Sequence, residues 1–196
     1  SKIEAEQWLW SCRRERGLPL TVIYPGWVYG PGDHALFPGL AAAIAAGTMF
    51  FWGRDVALAW AHVDNLADAC LLAAAAPQAL GEGYLIHDGG SGPTLEELSA
   101  RIAALVGAPV PARRLPYAVA YAAAAAAQLV WRALRLRGAP PLTTADVKAF
   151  GHTFQLSNEK ARTQLGWTPR IPVATGMEEA LAAFAARRAP RSEAGA

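Results

Sequence analysis

Leu20-Thr21-Val22-Ile23-Tyr24, running into Pro25-Gly26-Trp27-Val28-Tyr29-Gly30-Pro31-Gly32, is the stretch on which the fold turns. The first five residues are a nearly continuous apolar run without polar alternation. That pattern predicts a strand covered on both faces, as in a parallel sheet. Pro25 and Pro31 donate no backbone hydrogen and the glycines permit positive φ, so 25–33 is expected to be an irregular loop. At the carboxyl end of a parallel strand such a loop leaves backbone groups free for a ligand.

Working outward, Ala5, Trp8, Leu9 and Cys12 share one face of a helix that ends near Gly17, with Pro19 just beyond. Residues 36–46 read as a helix through Leu36, Leu40 and Ile44, closed by Gly47, and 48–61 are strand-like and aromatic. Asp64 is expected to cap a helix through residue 76, with Leu66, Ala69, Cys70 and Ala73 inward. Gly83 to His87 is a second sheet strand. Thr94-x-x-Glu97 is a capping box for a helix closed by Gly107, and Thr175-x-x-Glu178 is expected to open the last helix in the same way. The tail 189–196 reads as disordered. Strands alternating with helices predict an α/β fold. Two clear core strands leave the sheet incomplete, because a doubly wound dinucleotide fold carries about six.

Composition narrows the function classes. The chain has 196 residues, 53% hydrophobic and 17% charged, which fits a globular chain and excludes a disordered one. A net charge of +2 gives no electrostatic case for nucleic acid as a partner. Cys12 and Cys70 sit at apolar helix positions and are expected to be buried free thiols in a reducing compartment. Residues 1–20 carry charge throughout, with no signal-peptide core, so the expected location is cytoplasmic, with membrane association as the alternative. The chain opens within a helix and without Met, which suggests a truncated reading frame. His34, His62, His87 and His152 are isolated, so no metal site is expected.

Three further motifs carry chemistry or its scaffold. Lys2 opens the first helix. His62-Val63-Asp64-Asn65 follows the aromatic stretch, and Ser157-x-x-Lys160-Ala161-x-x-x-Leu165-Gly166-Trp167-x-Pro169 stands near the end. Asp64 as a cap and His62 as a satisfied core residue make the second motif structural. Ser157 as a cap and Gly166 as a stop make the third a scaffold, with Trp167 packed back. Gly89-Gly90-Ser91-Gly92 lacks the G-x-G-x-x-G spacing of a dinucleotide phosphate turn.

The order Lys2, P-x-x-x-Y-G-P-G, H-V-D-N and S-x-x-K-A-x-x-x-L-G-W-x-P resembles the extended short-chain dehydrogenase/reductase superfamily, closest to its 3β-hydroxysteroid dehydrogenase branch. The resemblance implies the C-terminal part of a doubly wound Rossmann-type parallel sheet, from 1–33 and 62–88, with a mostly helical substrate lobe from 34–61 and 89–188. It implies NAD or NADP as cofactor, with Lys2 as a catalytic residue that bonds the nicotinamide ribose hydroxyls and lowers the pKa of a tyrosine four residues earlier. That position lies before residue 1, and the phosphate turn is not in the chain, so the chain alone is expected to be inactive. Pro25, Gly26, Trp27 and Val28 are implied to lie against the nicotinamide. The family's arginine before the proline is Tyr24 here.

The implied activity is oxidation or reduction of a secondary alcohol or ketone on a sterol-like or other apolar small molecule, an expectation the aromatics at 49–52 and 115–131 support weakly. An NDP-sugar epimerase or dehydratase is the alternative, toward which Arg54 is a hint, although a surface arginine is the first reading. A non-catalytic module is the alternative of another class. Pro116 to Trp131 is apolar apart from Gln128 and flanked by arginines, yet shorter than the about 20 residues a span needs. A buried or homodimer-interface helix is the first reading for 115–136, and peripheral membrane contact the second.

Overall fold

The computed structural model describes residues 2–90, 92–138, 140–152 and 156–188; the expected disorder of 189–196 lies outside them. In chain order the elements are α1 (Lys2–Arg16), β1 (Val22–Pro25), β2 (Trp27–Tyr29), α2 (Leu36–Ala45), β3 (Phe51–Trp52), β4 (Trp60–His62) and α3 (Val63–Ala75). Then follow β5 (Gly83–Ile86), α4 (Leu95–Val106), β6 (Arg114–Leu115), α5 (Tyr117–Ala133), α6 (Thr144–Gly151), α7 (Glu159–Leu165) and α8 (Val173–Arg188). The strands pair in parallel as β1 with β5, β2 with β4 and β3 with β6. This is the expected α/β class. Among the described residues no helix is long and apolar enough to cross a membrane.

The chain divides into two compact units, 1–30 with 59–90 and 155–179, and 31–58 with 91–154 and 180–196. Segment 155–179 thus groups with the unit that carries β1, β2, β4 and β5, where the sequence expectation puts it in the substrate lobe. The reason is α7, whose Ala161 and Leu165 enter one core with Ala69 and Ala73 of α3, Tyr84 and Ile86 of β5, and Trp167. Gly166 ends α7 at φ 66°, and the Trp167 indole nitrogen donates to the Asn65 carbonyl at 2.9 Å. The N-cap of α7 is Asn158 and not the expected Ser157, which lies one residue earlier and accepts from the Glu159 amide at 3.2 Å.

The core of the second unit joins Trp52, Ala120, Ala124 and Val147, with Phe50, Leu115 and Tyr117 packed around them. Trp52 also donates to the Val147 carbonyl at 2.9 Å. Phe51 and Trp52 are both buried, and both line a cavity with Val56, Leu95 and Phe150. Thr94 and Glu97 form the expected capping box on α4, and Gly107 closes it at φ 66°.

Several local expectations are corrected. Segment 25–33 is not an irregular loop throughout, because Trp27–Tyr29 is β2. The cap of α3 is His62, whose Nδ1 accepts from the Asp64 amide at 3.2 Å, and Asp64 sits in the first turn. Thr175 does not open α8, which starts at Val173. Cys12 is buried but Cys70 is exposed. On α1, Ala5 and Trp8 face out while Glu6, Leu9 and Trp10 are part-covered. Glu6 accepts from the Tyr24 hydroxyl and from the Trp10 indole, so a carboxylate with two donors occupies the stripe that apolar spacing assigned elsewhere.

Candidate functional site

The candidate site lies where β1, β2, β4 and β5 end, all in the first unit. The chain from Val22 to Tyr29 is one extended path that changes partners at Gly26. Through Pro25 it is registered on β5, with Pro25 opposite Ile86; from Trp27 it is registered on β4, with Trp27 opposite Trp60. The Gly26 amide donates to the Ile86 carbonyl at 2.8 Å and the Trp27 amide to the Ala59 carbonyl at 2.7 Å. A Cβ on Gly26 would collide with that Ala59 carbonyl, so only glycine permits the approach. The sequence-based expectation that this segment leaves backbone groups free is thus corrected for Gly26 and Trp27. What the segment offers is side-chain surface, because Pro25 and Val28 are exposed.

Beneath this ledge lies a buried polar cluster that sequence reasoning missed as a unit. Tyr29, His62, Asn65 and Asp88 are all buried. One oxygen of Asp88 accepts from the His62 amide at 2.8 Å and the Tyr29 hydroxyl at 3.2 Å; the other accepts from the Asn65 side-chain amide at 2.8 Å. Asn65 also donates to the Ile171 carbonyl and accepts from the amides of Arg170 and Ile171, at 2.8, 3.0 and 2.9 Å. Its four side-chain valences are filled, as burial demands. Burial, and then the charge of Asp88, pushes the Tyr29 hydroxyl far above the ordinary tyrosine value. This phenol stays protonated and acts as a tie between β2 and the end of β5. The H-V-D-N motif is half of the cluster. Of the other half, Tyr29 belongs to the P-x-x-x-Y-G-P-G motif, and Asp88 carried no sequence signal beyond its place after a strand.

His62 completes the cluster. Its Nδ1 is an acceptor, which assigns the proton of the neutral ring to Nε2. That Nε2 is buried without a hydrogen-bond partner among the described residues, as is Nε2 of His87. His87 stands at the end of β5, its carbonyl held at 2.7 Å by the Asn158 side-chain amide.

Lys2 is in the exposed first turn of α1 and forms no ion pair among the described residues. Its ammonium is available for oxygen ligands. No hydrogen bond joins it to Pro25, Gly26, Trp27 or Val28, so these candidates share a unit without a direct polar contact. Tyr24, which stands where the resembling family has arginine, donates to Glu6 of α1. That bond to a carboxylate, with burial behind it, raises the Tyr24 pKa. Arg54 is exposed, as the first reading of it had it. The arrangement can hold a polar ligand group at Lys2 and rest an apolar ring on Pro25 and Val28.

Residues 1–86 match the NAD dependent epimerase/dehydratase family. The chain is 32% identical over 177 residues to the 2-alkyl-3-oxoalkanoate reductase of Stenotrophomonas maltophilia, covering 88% of this chain and 53% of that protein. It is 29% identical over 183 residues to a 4-hydroxy-2-methyl-3-oxo-4-farnesyl-3,4-dihydroquinoline-1-oxide ketoreductase of Stigmatella aurantiaca, covering 91% and 53%. The crystal structure of gox2253 superposes with a TM-score of 0.65 at 25% identity, over 94% of this chain and 54% of that one. The chain spans about half the length of these relatives. Residues 1–86 thus carry the NAD dependent epimerase/dehydratase family, and along its length the chain is similar to members of the extended short-chain dehydrogenase/reductase superfamily.

Proposed function

We propose that this chain is part of an NAD(P)-dependent oxidoreductase that interconverts a ketone and a secondary alcohol on an apolar small molecule. The observation that carries this reading is the similarity along 88% of the chain to a reductase named for an alkyl-bearing 3-oxo acid. The farnesyl-bearing substrate in the name of the Stigmatella relative points the same way. Sterols are a narrower case of the same substrate class. The family match to NAD-dependent enzymes supports the cofactor.

The residues present fit such a cofactor in two respects. An ammonium without an ion pair, on Lys2, suits ribose hydroxyls, and the exposed Pro25 and Val28 suit the edge of a nicotinamide. A bound nicotinamide supplies the hydride chemistry. The chain's own contribution is orientation: Gly26 lets the segment cross close over Ala59, and Asp88 with Tyr29 fixes the strand ends below. The positive charge of Lys2 favours the ionised form of any phenol one helical turn before it.

The test is an assay of the chain, joined to the sequence that precedes it in its gene, with a 2-alkyl-3-oxo acid, a 3β-hydroxysterol and UDP-glucose as separate substrates. Formation or consumption of reduced nicotinamide with either apolar substrate is the expected result. Interconversion of the nucleotide sugar with no net change in the nicotinamide would replace this proposal with an epimerase.

A further inference from the structure

The face of α5 turned away from its core contacts is apolar, unpartnered and bracketed by positive charge. α5 packs through Ala120 and Ala124, which are fully buried with Trp52 and Val147. Its other side shows Val119, Leu129 and Val130, and the turn that follows adds Leu134 and Leu136; Leu129 and Leu134 are 69% and 65% exposed. Between Pro116 and Trp131 the one side chain able to offer a strong polar group on the helix middle is Gln128, and it is turned to the Thr144 amide. The exposed surface is left to alanine, valine and leucine, with Tyr121 at its side.

Along the chain on either side of this face the charged residues have one sign. From residue 98 to residue 145 there is no Asp or Glu, while Arg101, Arg113, Arg114, Arg132, Arg135 and Arg137 are all present. Arg114 is paired with Glu96, but Arg132, Arg135 and Arg137 form no ion pair among the described residues. Beside them a cavity of about 330 Å³ opens between Trp131, Arg132, Arg135 and Leu136. The Trp131 indole nitrogen is buried without a hydrogen-bond partner among the described residues. The two guanidinium groups offer donors there that suit phosphate or carboxylate oxygens, and Gln128 lines the same cavity.

We propose that α5 and the following turn, residues 117–137, lie on the surface of an anionic lipid bilayer. The apolar face would enter the headgroup region with the helix parallel to the plane, and the arginines would meet lipid phosphates and carboxylates. Crossing is excluded by length, since 17 residues rise about 26 Å against a hydrocarbon core of about 30 Å. A second copy of the chain is the poorer occupant. A two-fold contact pairs the patch with itself, and with arginines at both ends of α5 either helix direction sets like charges together.

The proposal does not depend on the oxidoreductase reading, and its test uses no substrate. The chain is floated with vesicles of phosphatidylcholine alone and with vesicles of equal parts phosphatidylcholine and phosphatidylserine. Recovery with the anionic vesicles, falling as salt is raised, is expected. Replacing Arg132, Arg135 and Arg137 together by Gln should weaken partitioning about a hundredfold, because each arginine at such a surface contributes about 1 kcal/mol. Leu129→Ser with Leu134→Ser should weaken it about tenfold. All five positions are exposed, and circular dichroism confirms that each variant is folded. Absence of binding to anionic vesicles at low salt overturns the proposal, as does equal recovery on neutral vesicles. A concentration-dependent dimer that the leucine substitutions dissolve also overturns it.

Discussion

At Gly26 a single hydrogen atom decides whether two strands can meet. The Ala59 carbonyl occupies the place where a Cβ would stand, so Gly26→Ala forces backbone apart and is expected to cost about 2–3 kcal/mol. Gly32 has open space around its Cα, which makes Gly32→Ala a near-neutral control. A drop in the urea midpoint for the first and not the second, at unchanged m, is the check. Asp88 is the second such residue. Its three donors would face an amide in Asp88→Asn, with at least one donor left opposite another, at an expected cost of about 2–4 kcal/mol in the same titration. Tyr29 adds a pH dependence. Its pKa is raised in the folded protein above the ordinary 10.0, so folded chains hold the proton more tightly than unfolded ones. Its contribution is fully present below pH 10.0 and is lost as pH rises beyond it. Alkaline titration of stability should therefore steepen above that point, and Tyr29→Phe should flatten it. An unchanged slope in that variant would show that the phenol is not protected.

Among the elements, α4 and α8 show how one motif reads correctly in one place and fails in another. Thr94-x-x-Glu97 follows a segment that cannot be helical, so the threonine accepts from the Glu97 amide and the box forms. Thr175-x-x-Glu178 has the same spacing, but the helix has already begun at Val173, with Gly176 bonding back to the Pro172 carbonyl at 3.0 Å. Thr94→Ala is expected to lower stability by about 1 kcal/mol, and Thr175→Ala to leave it unchanged or slightly raised, since alanine is the better residue inside a helix. Thermal melts of the two variants make the comparison. The caps of α3 and α7 carry the same lesson. His62 takes the cap two residues ahead of Asp64 because its ring is already fixed by burial beside Tyr29, with ring centroids 5.3 Å apart.

On the scale of the whole molecule, the sheets decide what the chain can do alone. Each described sheet has two strands, and two strands need packing or neighbours to be stable. The expected consequence is a broad melt in which the van't Hoff enthalpy falls below the calorimetric one. The chain is also expected to bind NAD with an affinity weaker than about 10 μM, a limit that titration calorimetry reads directly. Tighter binding would mean that Lys2 and the Pro25 to Val28 ledge hold the cofactor without a phosphate turn.

What the sequence by itself determined is whatever rests on local chemistry. That covers the strand from its unbroken apolar run, the stops at Gly17, Gly107 and Gly166 that adopt positive φ, the box at Thr94, and the motif order that gives the superfamily. What only the tertiary structure decided rests on partners distant along the chain. Trp27 to Tyr29 became a strand because Trp60 to His62 lies beside it, and proline and glycine content cannot report a neighbour. Asp88 became the centre of a polar cluster because Tyr29, His62 and Asn65 converge on it from separate elements. Trp52 became core because α5 and α6 close over it, and hydrophobicity alone does not say which apolar surface a fold will cover.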